Sequence, residues 1–157
     1  MDSETLLQLA TFSQRALELN LDGFTHEDAL AQPPAGNCVN WLVGHILVHR
    51  ERMLAALGAP PVECDHAAPQ RYDRGTPPIT ADGEGVVPFD SLLEAVEESG
   101  RCLADAIRRG GNARLVEPHG RAGTVGAYLG LLVVHEGYHV GQIASARRLI
   151  GMEGAIH

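Results

Sequence analysis

From Val125 to Ile150 the chain has one conformation open to it, a long helix. Thr124 can accept a hydrogen bond from the first turn, and Gly151 stands just past the last apolar residue, where helices commonly stop. The first half of this segment is apolar on nearly every side, which predicts a central, deeply buried helix. Gly126, Gly130, Gly137 and Gly141 each cost about 1 kcal/mol of helix propensity relative to Ala. Close approach of neighbouring helices is the expected compensation. Into this apolar frame the sequence sets His135 and His139, four residues apart and therefore on one face.

Three further helices follow from the same periodicity. Leu6, Leu7, Leu9, Ala10, Phe12, Ala16, Leu17 and Leu19 recur at helical spacing and predict a helix over about residues 3–21, with Ser3 able to cap it. Thr25 with Glu27 and Asp28 suits a short capped turn, closed by Pro33-Pro34-Ala35-Gly36. Asn37 or Asn40 can cap a second long helix running to about Leu57, with Gly58 past its end. A third spans about Asp90–Arg109, with Leu92, Leu93, Val96, Leu103 and Ile107 on one face and Gly110-Gly111 as its stop. Between them, residues 59–88 scatter six prolines among glycines and charges, which predicts a long crossover without regular structure. The expectation is all-α: one helical domain over residues 1–157, a four-helix bundle with a long irregular crossover.

Composition narrows the function classes. At 157 residues a single core is large enough to stand without staples. Twelve basic against twenty acidic residues give a charge of −8, which disfavours a nucleic-acid surface. Cys38, Cys64 and Cys102 are odd in number and form no CxxC, so they support neither a thiolate metal site nor a disulfide framework and fit a reducing cytoplasm. Asp2 and Glu4 replace the basic start of a signal peptide, and the run Val125–Val134 is too short to cross a bilayer. An apolar first helix offers a face through which two copies can pair.

A lone histidine on an apolar face is more often a satisfied core residue than a ligand. A pair one turn apart is costly to bury without a partner, and one metal ion satisfies both nitrogens. His135-Glu136-Gly137-Tyr138-His139 also spells H-E-x-x-H, in which Glu acts as a protease's general base. That reading is weak here. No histidine occurs in Val140–Arg148, and Glu153 is the sole carboxylate among the 18 residues after His139. The third ligand must come from upstream, where His45 and His49 are one turn apart in Trp41-Leu42-Val43-Gly44-His45-Ile46-Leu47-Val48-His49. Periodicity admits either; three ligands leave an open position for chemistry, and all four would close the site. Glu136 sits about 100° round the helix from His135, placed to take a proton or to hold a ligand. Gln142 follows His139 by three and can orient it. Cys38, two turns before His45, is expected to be a small buried residue rather than a ligand. His26, His66, His119 and His157 fall in turn or terminal segments and are expected at the surface.

Asn40-Trp41-Leu42-Val43-Gly44-His45-Ile46 and His135-Glu136-Gly137-Tyr138-His139-Val140-Gly141-Gln142-Ile143, in that order, resemble the DinB/YfiT-like superfamily of metalloenzymes over nearly the whole chain. The resemblance implies a four-helix bundle holding one divalent ion, zinc or nickel, on His45, His135 and His139, with His49 outside the ligand set. It also implies a low-molecular-weight-thiol S-transferase that uses bacillithiol, mycothiol or a similar thiol on a small-molecule substrate, and a homodimer. In such an enzyme Glu136 or a metal-bound hydroxide takes the proton, and Arg52, Arg147 or Tyr138 can contact the thiol's carboxylates. Two other readings stand beside it: a stress-associated metal-binding bundle without turnover, and a metal-dependent hydrolase with Glu136 as base.

Overall fold

The computed structural model describes residues 1–62 and 69–156. Cys64, His66 and His157 lie outside the described residues. The chain forms α1 (Ser3–Leu21), a one-turn α2 (His26–Leu30), α3 (Val39–Leu57), α4 (Phe89–Leu115) and α5 (Val125–Leu149). The helical, all-α architecture matches the expectation from periodicity. Several ends differ in detail. Asp2, not Ser3, caps α1: its Oδ1 accepts from the Thr5 amide at 2.8 Å, while the Ser3 amide donates to Asn112. Thr25 and Asp28 form a reciprocal capping box on α2. Gly58 closes α3 in the left-handed conformation at φ 71°. Cys38 occupies the start of α3 without a side-chain cap, because Asn40 is used elsewhere. α4 leaves helical geometry at Gly111, as the paired glycines predicted, but resumes for one turn to Leu115. A two-residue antiparallel ladder, β1 (Pro118–His119) with β2 (Gly123–Thr124), then turns the chain into α5.

Named contacts fix the direction of each long helix. Ser3 meets Asn112, and the Phe24 and Phe89 rings lie 6.2 Å apart, so α1 and α4 run antiparallel. Asn40 reaches Val87, Arg50 reaches Val96 and Arg114 reaches Ala56, so α3 and α4 run parallel. Ser13 meets Glu136 and Arg147 meets Asn20, so α1 and α5 are also parallel. Two parallel neighbours that follow one another in sequence need a connection as long as a helix, which is what residues 58–88 supply. Around the bundle the order is α1, α5, α3, α4.

This ring has four equivalent corners, so the expectation that α5 is central is corrected. Leu129, Leu132 and Val133 face inward, but Leu131, Val134 and Tyr138 are 64–74% exposed. The glycines of α5 divide in the same way. Gly126 packs on Leu115 and Gly130 on Met1, whereas nothing lies near Gly137 or Gly141. Two apolar clusters fill the ends of the bundle, one around Leu17, Trp41, Tyr72 and Phe89, the other around Leu6, Leu54, Ile107 and Leu129. Ser13, Arg50, Ser99 and Glu136 form a buried polar layer joining all four long helices.

The crossover carries more order than its composition predicts. A 3₁₀ turn at Pro69–Tyr72 drives Tyr72 into the core, 1% exposed, and Ile79 and Val87 follow it. The space for Tyr72 exists because Gly44 has no side chain: a Cβ there would stand 2.1 Å from the ring. No described helix is long and apolar enough to cross a membrane.

Candidate metal centre

Asn40, Trp41, Gly44 and His45 are turned toward the crossover segment over residues 72–87. The Asn40 amide donates to the Val87 carbonyl at 2.9 Å and accepts from the Tyr72 hydroxyl at 3.0 Å. Trp41 donates to Thr76 and stacks on His45, with ring centroids 4.5 Å apart and planes 16° from parallel. Gly44 admits Tyr72. The Tyr72 carbonyl then accepts a hydrogen bond from His45 Nδ1 at 2.7 Å. That bond fixes the tautomer: the proton is on Nδ1, and Nε2 keeps its lone pair. Nothing in the helical pattern pointed to Tyr72, whose contribution is a backbone atom.

α5 presents its pair to the same place. His139 Nδ1 donates to Gln142 Oε1 at 2.6 Å, as the three-residue spacing suggested, so its Nε2 is also bare. His139 Nε2 and His135 Nε2 are 3.2 Å apart. Two nitrogens bound to one tetrahedral ion at 2.0–2.1 Å lie about 3.3 Å apart, so this separation suits shared coordination. The His45 ring lies 5.0 Å from that of His139 and 5.4 Å from that of His135.

His49 joins them. Its ring is 4.3 Å from His135 and 4.6 Å from His45, and His45, His49 and His135 each offer a nitrogen, all within 4.8 Å of one another. The four imidazoles thus form one cluster between α3 and α5, and His49 lies inside it rather than beyond it. The signal was present in the sequence: His49 follows His45 by one turn, as His139 follows His135.

Burial sets the charge state. It pulls His139 down to about 4 against the opposing hydrogen bond from Gln142. Burial again, with the charges of His135, His45 and Arg52, pulls His49 to about 4. His135 is lowered by burial and by His45. Neutral imidazoles are what a metal requires. The Nδ1 atoms of His49 and His135 are buried without a hydrogen-bond partner. Unpaired buried nitrogens are costly, and a divalent ion shared by these rings offsets that cost. The donor set therefore fits an ion with nitrogen affinity, such as zinc or nickel.

Glu136 is turned the other way. Its oxygens accept from Arg50 Nε at 2.9 Å, Arg50 Nη2 at 2.8 Å and Ser13 Oγ at 2.7 Å. Burial alone would raise this carboxyl, but the charge and hydrogen bonds of Arg50 outweigh it and hold the pKa below the usual range. Its partners therefore lie in the bundle interior and not among the imidazoles.

The cations expected around the site divide. Arg147 is drawn to the carbonyls of Asn20, Asp22 and Glu153 at the α1 side, away from the imidazoles. Arg52 stays near the cluster, half-exposed and paired with Asp73 at 2.8 Å. Tyr138 is exposed, its ring 5.2 Å from that of His139, and its hydroxyl accepts from Gln142. Cys38 is buried in the core, which raises its thiol pKa and leaves it a packing residue. His26 and His119 lie half-buried rather than at the open surface: His26 Nδ1 accepts from the Phe89 amide, and His119 packs on Tyr128.

A model of the DinB superfamily matches residues 8–143. The chain belongs to the DinB superfamily. The match spans the imidazole cluster and all of the bundle but the start of α1 and the end of α5, and it agrees with the resemblance carried by the two histidine motifs. A comparison with curated proteins found no match. Within this DinB bundle the rings of His45, His135 and His139 lie 4.5–5.4 Å from one another, and the three whose nitrogens all fall within 4.8 Å of one another are His45, His49 and His135.

Proposed function

We propose that this DinB protein is a divalent-metal-dependent enzyme that transfers a low-molecular-weight thiol, of the bacillithiol or mycothiol kind, to a small electrophilic substrate. The observation that carries this reading is the convergence of His45, His135 and His139 with two of the three tautomers fixed by outside partners. An ion held there supplies Lewis acidity, which lowers the pKa of a thiol so that it reacts as a thiolate. A C–S bond then forms as the substrate carbon's bond to its leaving group breaks, and the leaving group departs with the electron pair. His49 adjoins the ligands with an unpartnered nitrogen and is the acceptor available for the thiol's proton. Glu136 holds α5 in register through Arg50. Arg52 can exchange its exposed pairing with Asp73, of little energetic worth at the surface, for a carboxylate of the incoming thiol. Beside the site, an open groove of about 390 Å³ lined by Asn37, Leu42, Tyr138, Gln142 and Ser145 offers an uncharged seat for the substrate.

The test is conjugation of a low-molecular-weight thiol to an electrophile by zinc- or nickel-loaded protein. The expected result is acceleration that His139→Ala removes; equal rates for variant and parent overturn the reading. The closeness of His49 favours one other reading, a metal clamp with all four imidazoles bound and no turnover. It predicts a large drop in Tm on chelation and no reaction with any thiol. Hydrolysis with Glu136 as base finds no support in the partners of that carboxylate. The reducing cytoplasm remains the compartment we propose, consistent with the free thiols of Cys38 and Cys102.

A further inference from the structure

The two halves of the imidazole cluster are aimed by different means. On α5, His139 Nδ1 donates to Gln142 of the same helix, three residues away. On α3, His45 Nδ1 donates to the Tyr72 carbonyl, 27 residues away in the crossover. A backbone carbonyl stands where its residue is anchored, and Tyr72 is anchored at both ends of its side chain. The root of its ring fills the notch left by Gly44. Its hydroxyl donates to Asn40 Oδ1 at 3.0 Å and accepts from the Val87 amide at 2.8 Å. The residues that follow tie the same stretch down again: Asp73 pairs with Arg52 at 2.8 Å, and Thr76 accepts from Trp41 Nε1 at 3.1 Å. On α3 these contacts fall at Asn40, Trp41, Gly44, His45 and Arg52, which share one face of the helix.

The fit at the notch leaves no room. A Cβ on residue 44 would stand 2.1 Å from Tyr72 Cδ1 and 2.4 Å from Cγ. Cγ lies on the axis of ring rotation, so flipping the ring does not remove the clash. Swinging the whole ring about χ1 breaks the hydroxyl's bonds to Asn40 and Val87. The residue itself has to back away, and the carbonyl that orients His45 moves with it. A neutral His45 released from that carbonyl can carry its proton on either nitrogen, and its Nε2 lone pair is no longer assured.

We infer that Gly44 and Tyr72 are positioning residues for the metal centre: the Tyr72 ring, seated in the Gly44 notch, sets the carbonyl that orients His45, so docking of the crossover and uptake of the ion form one linked equilibrium. The inference rests on reading the imidazole cluster as a metal site and is independent of the thiol chemistry proposed above. Linkage acts in both directions. A docked crossover tightens the hold on the ion, and a bound ion tightens the crossover on α3. The centre is therefore loosened from the crossover side, while the α5 half keeps its geometry through Gln142.

Calorimetric titration with zinc should give an affinity about 10–100-fold lower for Gly44→Ala than for the parent. Tyr72→Ala slackens the carbonyl without a clash and should lose less. Gly44→Ala combined with Tyr72→Ala should recover to the level of Tyr72→Ala alone. In the metal-free proteins, nitrogen NMR of the imidazoles should show His45 protonated on Nδ1 in the parent and as a mixture of tautomers in Gly44→Ala. His139 should stay protonated on Nδ1 in both, a split that general loss of fold would not produce. Zinc should also slow hydrogen exchange at the Val87 and Thr76 amides of the parent and have less effect on those of Gly44→Ala. Parental zinc affinity in Gly44→Ala overturns the inference, as does a double variant no better than Gly44→Ala or a change at His139 equal to that at His45. Should Gly44→Ala fail to fold, Tyr72→Ala carries the test, and parental affinity with an unchanged His45 signal overturns it. A parent that takes up no zinc overturns the metal reading instead, and the metal-free spectra still decide whether Gly44 and Tyr72 orient His45.

Discussion

Glu136 and its neighbour His135 differ by one position on α5, yet they belong to opposite kinds of buried site. Glu136 looks into the bundle and finds a bidentate guanidinium and a hydroxyl, so its charge is matched by three hydrogen bonds. His135 looks toward α3 and finds three more imidazoles, with one of its own nitrogens left without a partner. The first layer is complete without any visitor. The second is complete only when something with affinity for nitrogen lone pairs joins it. A satisfied polar cluster fixes structure, and an unsatisfied one marks where chemistry can enter.

The sharpest way to break this contrast is Glu136→Ala. It leaves the Arg50 charge buried and unpaired and should cost about 3–5 kcal/mol in urea unfolding. Replacing both partners, with Arg50→Met and Glu136→Leu, should recover much of that loss. A cost below about 1 kcal/mol for Glu136→Ala would mean the layer is not the structural half of the pair. His139→Ala should behave oppositely. Calorimetric titration with zinc should show affinity lower by more than about 100-fold, while the metal-free variant unfolds closer to the parent than Glu136→Ala does. His49→Ala sharpens this result: near-parental affinity assigns His49 to the proton, and a loss equal to that of His139→Ala assigns it to the metal.

Smaller effects follow from the groups behind the ligands. Gln142→Ala frees the His139 tautomer and should reduce zinc affinity about 10–100-fold. The weakest signal is in pH. His49 and His139 are held near 4 against an ordinary value of 6.5, so the unfolded chain binds protons that the folded chain refuses. The stability of the metal-free protein should therefore be complete above about pH 6.5 and fall as the pH drops toward 4. Tm measured across that window should decline, and His49→Gln should flatten the decline; a flat parent profile would show that these rings are not buried neutral.

Much of the architecture was legible because it is local. Thr25, Gly58 and Thr124 act at the helix ends that their types predict, and the glycine pair breaks α4 at Gly111. The spacing of His135 and His139 put them on one face before any fold was known. The crossover was readable as irregular but not as part of the core, since Tyr72 owes its burial to Gly44, 28 residues away. Nor did periodicity distinguish a buried face from an exposed one on α5, because Leu131 and Leu132 are the same residue type. The direction of Glu136 was equally hidden, because a residue 100° round from a ligand faces metal or core according to how the helix is rotated.

The sequence by itself determined which segments are long helices and which imidazoles share a face, because both follow from the 3.6-residue turn and from hydrogen bonds spanning a few residues. Only the tertiary structure decided that α3 and α4 run parallel, that Glu136 belongs to Arg50, and that His49 stands with the other three rings. Those outcomes depend on how four helices rotate against one another to bury the most apolar surface while leaving no charge alone, and that balance is struck by the whole chain at once.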